Sequence, residues 1–274
     1  MNHYICKTCG VEYAKTAEPP MNCIICDDER QYIPQNGQRW TSMQEMIRSR
    51  IYSNEIIQQE DNLWSITTKP EFAIGQSAYL LKTESLNVLW DCVTYLDDDT
   101  ERRIRNLGGL DAIALSHPHY YSAQAEWAER FNVPLYIHED DRSWVMRNTP
   151  HIVFWSGEVL PLTSEITLIR LGGHFKGGAV LHYRGGEREG GLLLSGDILT
   201  VTADRRHVSF MYSYPNYIPL PASTVKRMAD VLKRYSFSAL YQAFLRKVES
   251  EADFRVQKSA ERYIAALEGT YFST

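Results

Sequence analysis

Two pairs of cysteines near the N-terminus have the spacing of a metal site. Cys6 and Cys9 form one Cys-x-x-Cys pair, Cys23 and Cys26 form a second, and 13 residues separate the pairs. Four thiolates suit a tetrahedral zinc ion, and each pair can present two sulfurs to it. Since protein fills all four positions, the metal would be structural and would contribute folding energy to a very small segment. Zinc is favoured over iron, and the alternative to a metal site is a free thiol pair or a redox dithiol.

A second group of metal-ligand residue types follows three apolar runs. His117 and His119 come just after the first run. Side chains two residues apart in an extended chain point the same way, so both can reach one ion. His174 follows a second run and two glycines, and Asp197 follows a third run and one glycine. Active sites of α/β proteins gather at strand ends, so we predict a second metal site from these residues.

In their order along the chain, these four residues resemble the metal-binding motifs of the metallo-β-lactamase superfamily. That family carries a His-x-His-x-Asp-His run, then Gly-His, then Gly-Asp, then a last histidine. The resemblance covers residues 60–245. It implies a four-layer αββα sandwich and, for most members, hydrolase activity, with some oxidoreductases. The cysteine segment in turn resembles the knuckles of rubredoxin-like and zinc-ribbon modules.

The sequence departs from the family pattern at three metal-ligand positions. Tyr121 and Ser122 stand where the family has the Asp and the following His of its first run, and Phe244 stands near the expected last histidine. These positions belong to the family's second metal, so we expect one ion, zinc or iron. A zinc ion held by three histidines lowers the pKa of its water to about 7, which is sufficient for hydrolysis. Asp197 could ligate the ion or accept the water's proton.

Other residues near these motifs are candidates for catalysis or substrate binding. Tyr121 is a candidate catalytic residue, because a phenol can donate a hydrogen bond or stabilise charge. The candidate substrate contacts are Tyr120, Arg205, Arg206 and His207, of which the arginines could hold an anionic group. Each of these residues could instead fill volume or lie on a solvated turn.

Three functions are compatible with these motifs. The first is a metal-dependent hydrolase of an ester, thioester, lactone or phosphoester. The second is a mononuclear iron oxidoreductase of the same fold, in which His117, His174 and Asp197 would bind the iron. The third is a degenerate, non-catalytic metal-binding or interaction protein, since several family ligands are missing. The metal at the histidines would separate the three.

The pattern of apolar runs predicts the elements that position these residues. Runs typical of strands and of helices alternate, which predicts a mixed α/β fold with more than one sheet. The predicted strands are 63–68, 78–82, 87–93, 112–115, 133–137, 166–171, 179–183, 192–194 and 238–241, and the predicted helices are 43–49, 97–107, 123–131, 223–235 and 249–267. Residues 204–222 read as a long loop. We expect a small four-cysteine module at 1–36, a helical connector at 37–60 and a metallo-β-lactamase-like domain at 61–274.

Composition and charge argue against nucleic acids and membranes as partners. The 274-residue chain has a formal net charge of −5, which disfavours binding to nucleic acids or anionic membranes. Its apolar runs fall short of the roughly 18–20 residues that span a bilayer, and its first residues do not have the basic start and apolar run expected of a signal peptide. We expect a cytoplasmic protein that acts on a small molecule, without nucleic acid or membrane partners, and that could form a homo-oligomer.

Overall fold

Short apolar runs in the first part of the chain pair into one large sheet. The computed structural model describes residues 1–186 and 190–273. The chain divides into two units, of which the first is Met1–Trp155 and the second begins at Ser156. In the described first unit, seven strands lie in sequence order from β3 to β9, and a separate two-stranded sheet joins β1 and β2. The strands are β1 Ile5–Cys6, β2 Trp40–Thr41, β3 Ser53–Glu60, β4 Leu63–Lys69, β5 Ser77–Lys82, β6 Asn87–Trp90, β7 Ala112–Ala114, β8 Leu135–His138 and β9 Ile152–Trp155.

The parallel part of this sheet decides where polar side chains emerge. Strands β6, β7, β8 and β9 are parallel neighbours. Their carboxyl ends therefore lie at one edge of the sheet, where Asp91 follows β6 and Ser116 and His117 follow β7 soon after its end. The buried strand residues, such as Leu89 and Ile113, form the apolar core beneath this edge.

Four α-helices complete the first unit, and two 3-10 helices lie beside the sheet. The helices are α1 Ile24–Asp27, α2 Met43–Ser49, α3 Asp98–Asn106 and α4 Gln124–Phe131, and the 3-10 helices are Pro118–Tyr120 and Glu139–Trp144. Helix α2 covers the predicted range, and the Ser42 side chain caps it by accepting a hydrogen bond from the Glu45 amide. Trp127 of α4 is fully buried in the core and donates from its indole to the Val93 carbonyl.

In the described part of the second unit, six strands form a sheet in the order β10-β11-β12-β13-β18-β19. Among these described strands, only the β13–β18 pair is parallel. The strands of this sheet and of two small sheets are β10 Val159–Pro161, β11 Ile166–Arg170, β12 Ala179–Tyr183, β13 Leu192–Leu194, β14 Thr200–Val201, β15 Val208–Ser209, β16 Met211–Ser213, β17 Ile218–Pro219, β18 Ala239–Tyr241 and β19 Lys247–Val248; the helices are α5 Ala222–Leu232 and α6 Ala252–Leu267.

The structure differs from the sequence prediction at residues 204–222 and at several unpredicted strands, which include β3, β9 and β10. Residues 204–222 are not one irregular loop, because they contain β15, β16 and β17 and the start of α5. The polar strand β3 went unpredicted, since its sequence lacks a clear apolar alternation, yet it pairs with β4 along nearly its whole length. The domain boundaries expected at residues 36 and 60 stay predictions.

None of the helices in the described ranges 1–186 and 190–273 is long and apolar enough to cross a membrane.

Candidate metal centres

The four N-terminal cysteines come together at one buried point of the first unit. Their sulfur atoms all lie within 4.8 Å of one another. The Cys6–Cys26 sulfur pair is 3.6 Å apart and the Cys9–Cys23 pair 3.5 Å, and all four cysteines are free. A zinc ion with Zn–S bonds of about 2.3 Å requires sulfurs about 3.8 Å apart, so the arrangement fits a tetrahedral ion.

Hydrogen-bond donors surround these sulfurs. Gln38 Nε2 and the Thr8 amide donate to Cys6 Sγ at 2.9 and 3.4 Å, and the Tyr13 hydroxyl donates to Cys23 Sγ at 3.4 Å. Hydrogen bonds from the Cys23 and Cys26 thiols also hold the pKa of the Cys6 thiol below its usual range. Donors of this kind stabilise thiolates, the form that binds metal. The sequence showed the four ligands but not these donors.

The backbone turn at Gly10 is required by its surroundings. Gly10 has φ +81°, and a Cβ at this position would lie 2.3 Å from Thr94 Oγ1. The same Thr94 hydroxyl donates to the Gly10 carbonyl at 3.0 Å. Only glycine allows this close approach, which attaches the cysteine segment to the strand-end region of the large sheet.

His117 and His119 lie at the carboxyl end of β7. His117 has an extended backbone, and the 3-10 helix that carries His119 begins at the next residue. Both imidazoles are buried, and their ring centroids are 5.3 Å apart. Tyr120 packs edge-on against His117 with ring centroids 4.3 Å apart. The structure thus places this predicted pair side by side.

A chain of hydrogen bonds orients His117. The Ser116 hydroxyl donates to the Asp91 carboxylate at 2.8 Å, so its oxygen can accept from His117 Nδ1 at 2.8 Å. The Ser116 amide also donates to Asp91, at 2.7 Å. With its proton on Nδ1, His117 presents Nε2 as the nitrogen that can bind a metal. Sequence analysis did not identify Ser116, although it is next to His117.

In the second unit, two glycines precede His174. Gly172 and Gly173 have φ values of +63° and +85°, and a Cβ on Gly173 would lie 2.9 Å from Leu220 Cδ1. The buried His174 ring donates from Nδ1 to the Tyr212 carbonyl at 2.7 Å. A carbonyl can only accept, so Nδ1 carries the proton and Nε2 is again the metal-binding nitrogen.

Asp197 follows β13 in the same unit and is buried. Tyr214 donates from its hydroxyl to the Asp197 carbonyl at 2.8 Å and packs edge-on against His174, with ring centroids 5.5 Å apart. Burial and the Asp197 charge raise the pKa of Tyr214, which keeps its hydroxyl protonated. The segment predicted as a loop therefore supports both residues, through Tyr214 and the Tyr212 carbonyl.

The first unit thus supplies an oriented His117 beside His119, and the second unit supplies an oriented His174. The four cysteines of the first unit form a group that could hold a metal ion.

A family model agrees with this reading. The model of the metallo-β-lactamase superfamily matches residues 73–257, more than half of the chain. The chain belongs to the metallo-β-lactamase superfamily. The predicted family and α/β fold class are thereby confirmed, and the cysteine segment lies outside the matched range.

Individual relatives are consistent with this membership. The chain is 56% identical to YmaE of Bacillus subtilis (strain 168), described as an uncharacterized protein, over the full length of both. The structure of VMB-1 has a TM-score of 0.59 and 12% identity, covering 78% of this chain and 98% of that one. The DIM-1 metallo-β-lactamase has a TM-score of 0.59 and 16% identity, covering 76% and 97%. The two structures show the shared fold.

The residues at the altered metallo-β-lactamase positions have different surroundings. Tyr121 is buried, and burial together with the charges of Asp141 and Asp91 raises its pKa. Ser122 is also buried and has a left-handed backbone with φ +47°. Phe244 is partly exposed and lies between β18 and β19, beyond the end of β18.

The predicted substrate contacts in the second unit lie on a turn. Asp204 accepts hydrogen bonds from the Arg206 amide, at 2.9 Å, and from His207 Nδ1, at 2.8 Å. Arg205 and Arg206 are exposed, and Arg205 has φ +56°. Hydrogen bonds to Asp204 therefore define the turn, and the roles of these residues and of Tyr120 in substrate binding stay predictions.

Proposed function

We propose that the chain is a metal-dependent hydrolase with one catalytic ion bound by His117, His119 and His174. The observation that carries this proposal is the hydrogen bonding of Nδ1 in His117 and His174. Each hydrogen bond keeps the proton on Nδ1, so that the opposite nitrogen, Nε2, is free of a proton and can bind a metal, as in known metal sites. Membership of a superfamily whose members use metal ions supports the same reading.

The replaced ligands favour one ion over two. A phenol, a serine hydroxyl and a phenyl ring stand at the altered positions Tyr121, Ser122 and Phe244. Neutral hydroxyl groups are poor ligands beside imidazole or carboxylate, and a phenyl ring offers no ligand atom. The three histidines remain a sufficient set for a catalytic ion with an open position.

The proposed roles of the other residues follow from their chemistry. A zinc ion supplies a water nucleophile at neutral pH, because it lowers that water's pKa to about 7. In this proposal, Asp197 accepts a proton from the water or binds the ion. Tyr121 donates a hydrogen bond to the negative charge that develops on the substrate. The substrate class we propose is an ester, thioester, lactone or phosphoester. An anionic group on it would be contacted by Arg205 or Arg206.

At the cysteine site we propose a structural zinc ion. Four sulfurs leave no open position, so this ion would stabilise the fold and take no part in hydrolysis. Free thiols that bind metal suit a reducing compartment, which supports a location in the cytoplasm. A homo-oligomer is a further proposal, which light scattering after size-exclusion chromatography would test.

Elemental analysis and anomalous scattering at the zinc and iron edges test the proposed function. We expect two zinc ions per chain in the wild type and one in His117→Ala, with loss of hydrolysis across a panel of the four substrate types. His151→Ala, which changes a histidine of the same unit outside both ligand groups, is the matched control and should keep both ions. Iron at the histidines would instead identify an oxidoreductase. A histidine group that binds no metal would identify a non-catalytic protein.

A further inference from the structure

The segment that leaves the cysteine site runs directly to the loop that carries His119. Within the first unit, Glu12 lies three residues after Cys9. The Glu12 amide donates a hydrogen bond to the Ser122 carbonyl at 3.0 Å. Ser122 in turn lies three residues after His119. A single backbone hydrogen bond therefore connects a segment next to two sulfur ligands with one next to two histidine ligands.

Ser122 is held in a conformation that a serine adopts only under constraint. Its φ of +47° is left-handed, and its side chain is buried. Besides the bond from Glu12, Gln76 Nε2 donates to Ser122 Oγ at 2.9 Å and to the Cys92 carbonyl at 3.0 Å. Residues in such conformations persist where their surroundings fix them. The turn after His119 thus depends on partners from two other segments.

Two further contacts attach the cysteine segment to the same region. The Glu12 carboxylate pairs with the Arg147 guanidinium, and both side chains are buried. Arg147 also pairs with Glu126 and Glu129 of α4, the helix that begins at Gln124, two residues after Ser122. The Gly10 carbonyl accepts from Thr94. Movement of the cysteine segment would disturb all of these contacts together.

An ion bound by the cysteines would stabilise this segment further. Its own apolar core is small, since the buried residues around the sulfurs are Val11, Tyr13 and Ile25. A segment of this size gains much of its folding free energy from its metal. Loss of the ion would release residues 6–12, remove the Glu12 bond to Ser122 and let the turn after His119 relax.

We propose that occupancy of the cysteine site sets the metal affinity of the histidine site, with Glu12 and Ser122 as the positioning residues between them. This inference rests on the proposed function only in requiring that the histidines bind metal. Because coupling between two binding sites is reciprocal, an ion at the histidines must strengthen binding at the cysteines by the same factor.

Cobalt(II) titration of the full chain against a competing chelator tests the coupling, since thiolate ligands give charge-transfer bands that imidazoles do not. We expect Cys26→Ser to weaken the histidine site at least about five-fold, and His117→Ala to weaken the cysteine site by the same factor. If each variant left the cobalt affinity of the other site unchanged, the proposed coupling would be wrong and the proposed function would still hold. A wild-type chain that binds cobalt only at its cysteines would overturn both.

A second variant covers the case in which Cys26→Ser does not fold, as judged by its thermal transition. Gln76→Met removes the donor to Ser122 Oγ and leaves all cysteines intact. We expect it to weaken the histidine site several-fold while the cysteine site keeps its thiolate spectrum. Gln58→Met, an exposed glutamine of β3, is the matched control and should leave both affinities unchanged. Equal affinities in the two variants would contradict a positioning role for Ser122.

Discussion

At the scale of single residues, the candidate site depends on groups that do not bind metal. His117 is oriented by Ser116 and Asp91, and His174 by a backbone carbonyl. Such partners fix the tautomer and direction of an imidazole and so decide how well it binds an ion. Asp91 has φ +61° and is buried, so its backbone and its carboxylate are both held in place.

Asp91→Asn tests this orientation. The substitution keeps the shape of the side chain but removes the negative charge of the carboxylate, which accepts hydrogen bonds from the Ser116 amide and hydroxyl. We expect the histidine-site metal affinity to fall about 10–100-fold, the range for outer partners of metal ligands. Chelator competition measures it. Asp61→Asn, in the exposed β3–β4 turn, should change nothing, and an unchanged affinity in Asp91→Asn would refute the assigned role.

At the scale of elements, strand ends and turns bring the ligands into position. The parallel strands β6 and β7 place Asp91 and Ser116 at neighbouring carboxyl ends, where the two side chains meet. In the second unit, left-handed glycines turn the chain after β11 so that His174 reaches the β16 carbonyl of Tyr212. Strand pairing and special backbone conformations thus set the geometry of each half of the ligand set.

The start of α2 offers a test at this scale, because two hydroxyl residues that could cap the helix, Thr41 and Ser42, precede it. The structure selects Ser42, whose hydroxyl accepts from the Glu45 amide at 3.3 Å, while the Thr41 hydroxyl donates to the Glu45 carboxylate. We expect Ser42→Ala to lower the free energy of unfolding by about 1 kcal/mol. Urea denaturation measures this. Ser53→Ala, at an exposed strand position, should have an effect near zero, and equal effects would exclude the cap.

At the scale of the whole molecule, the cysteine segment belongs physically to the first unit. The family match begins at residue 73, yet contacts from Gly10 and Glu12 tie the segment to Thr94, Ser122 and Arg147. A segment outside the matched range is therefore part of the structure that carries His117 and His119. An ion bound in the segment would therefore affect the stability of the entire unit.

The buried Glu12–Arg147 pair makes this attachment sensitive to pH. Burial raises the pKa of Glu12 to about 7 from its ordinary 4.5, although Arg147 opposes the shift. Between these two pKa values, Glu12 is protonated in the folded chain and ionised in the unfolded chain. The free energy that protonated Glu12 contributes to folding is therefore full below pH 4.5 and lost as the pH rises through 7. The difference in unfolding free energy between wild type and Glu12→Gln should thus fall by about 3 kcal/mol across the window.

Urea unfolding of the metal-loaded proteins at several pH values measures that difference. Taking the difference cancels the protonation of groups that do not interact with Glu12, because both proteins share them. Glu55→Gln, at an exposed position of β3, should run parallel to wild type. A wild-type stability that rises relative to Glu12→Gln between pH 4.5 and 7 would show the opposite shift, a pKa lowered by Arg147.

Sequence by itself determined the superfamily, the two sets of candidate ligands, most of the described helices and about half of the described strands. Ligand types, their spacing and apolar periodicity are local properties that can be read directly from the chain. Only the tertiary structure decided which groups hold the ligands, because these partners are far apart in sequence. The Tyr212 carbonyl lies 38 residues from His174, and Asp91 lies 25 from Ser116. A backbone carbonyl and a left-handed serine have no signature in sequence, since folding alone gives them their neighbours and their conformation.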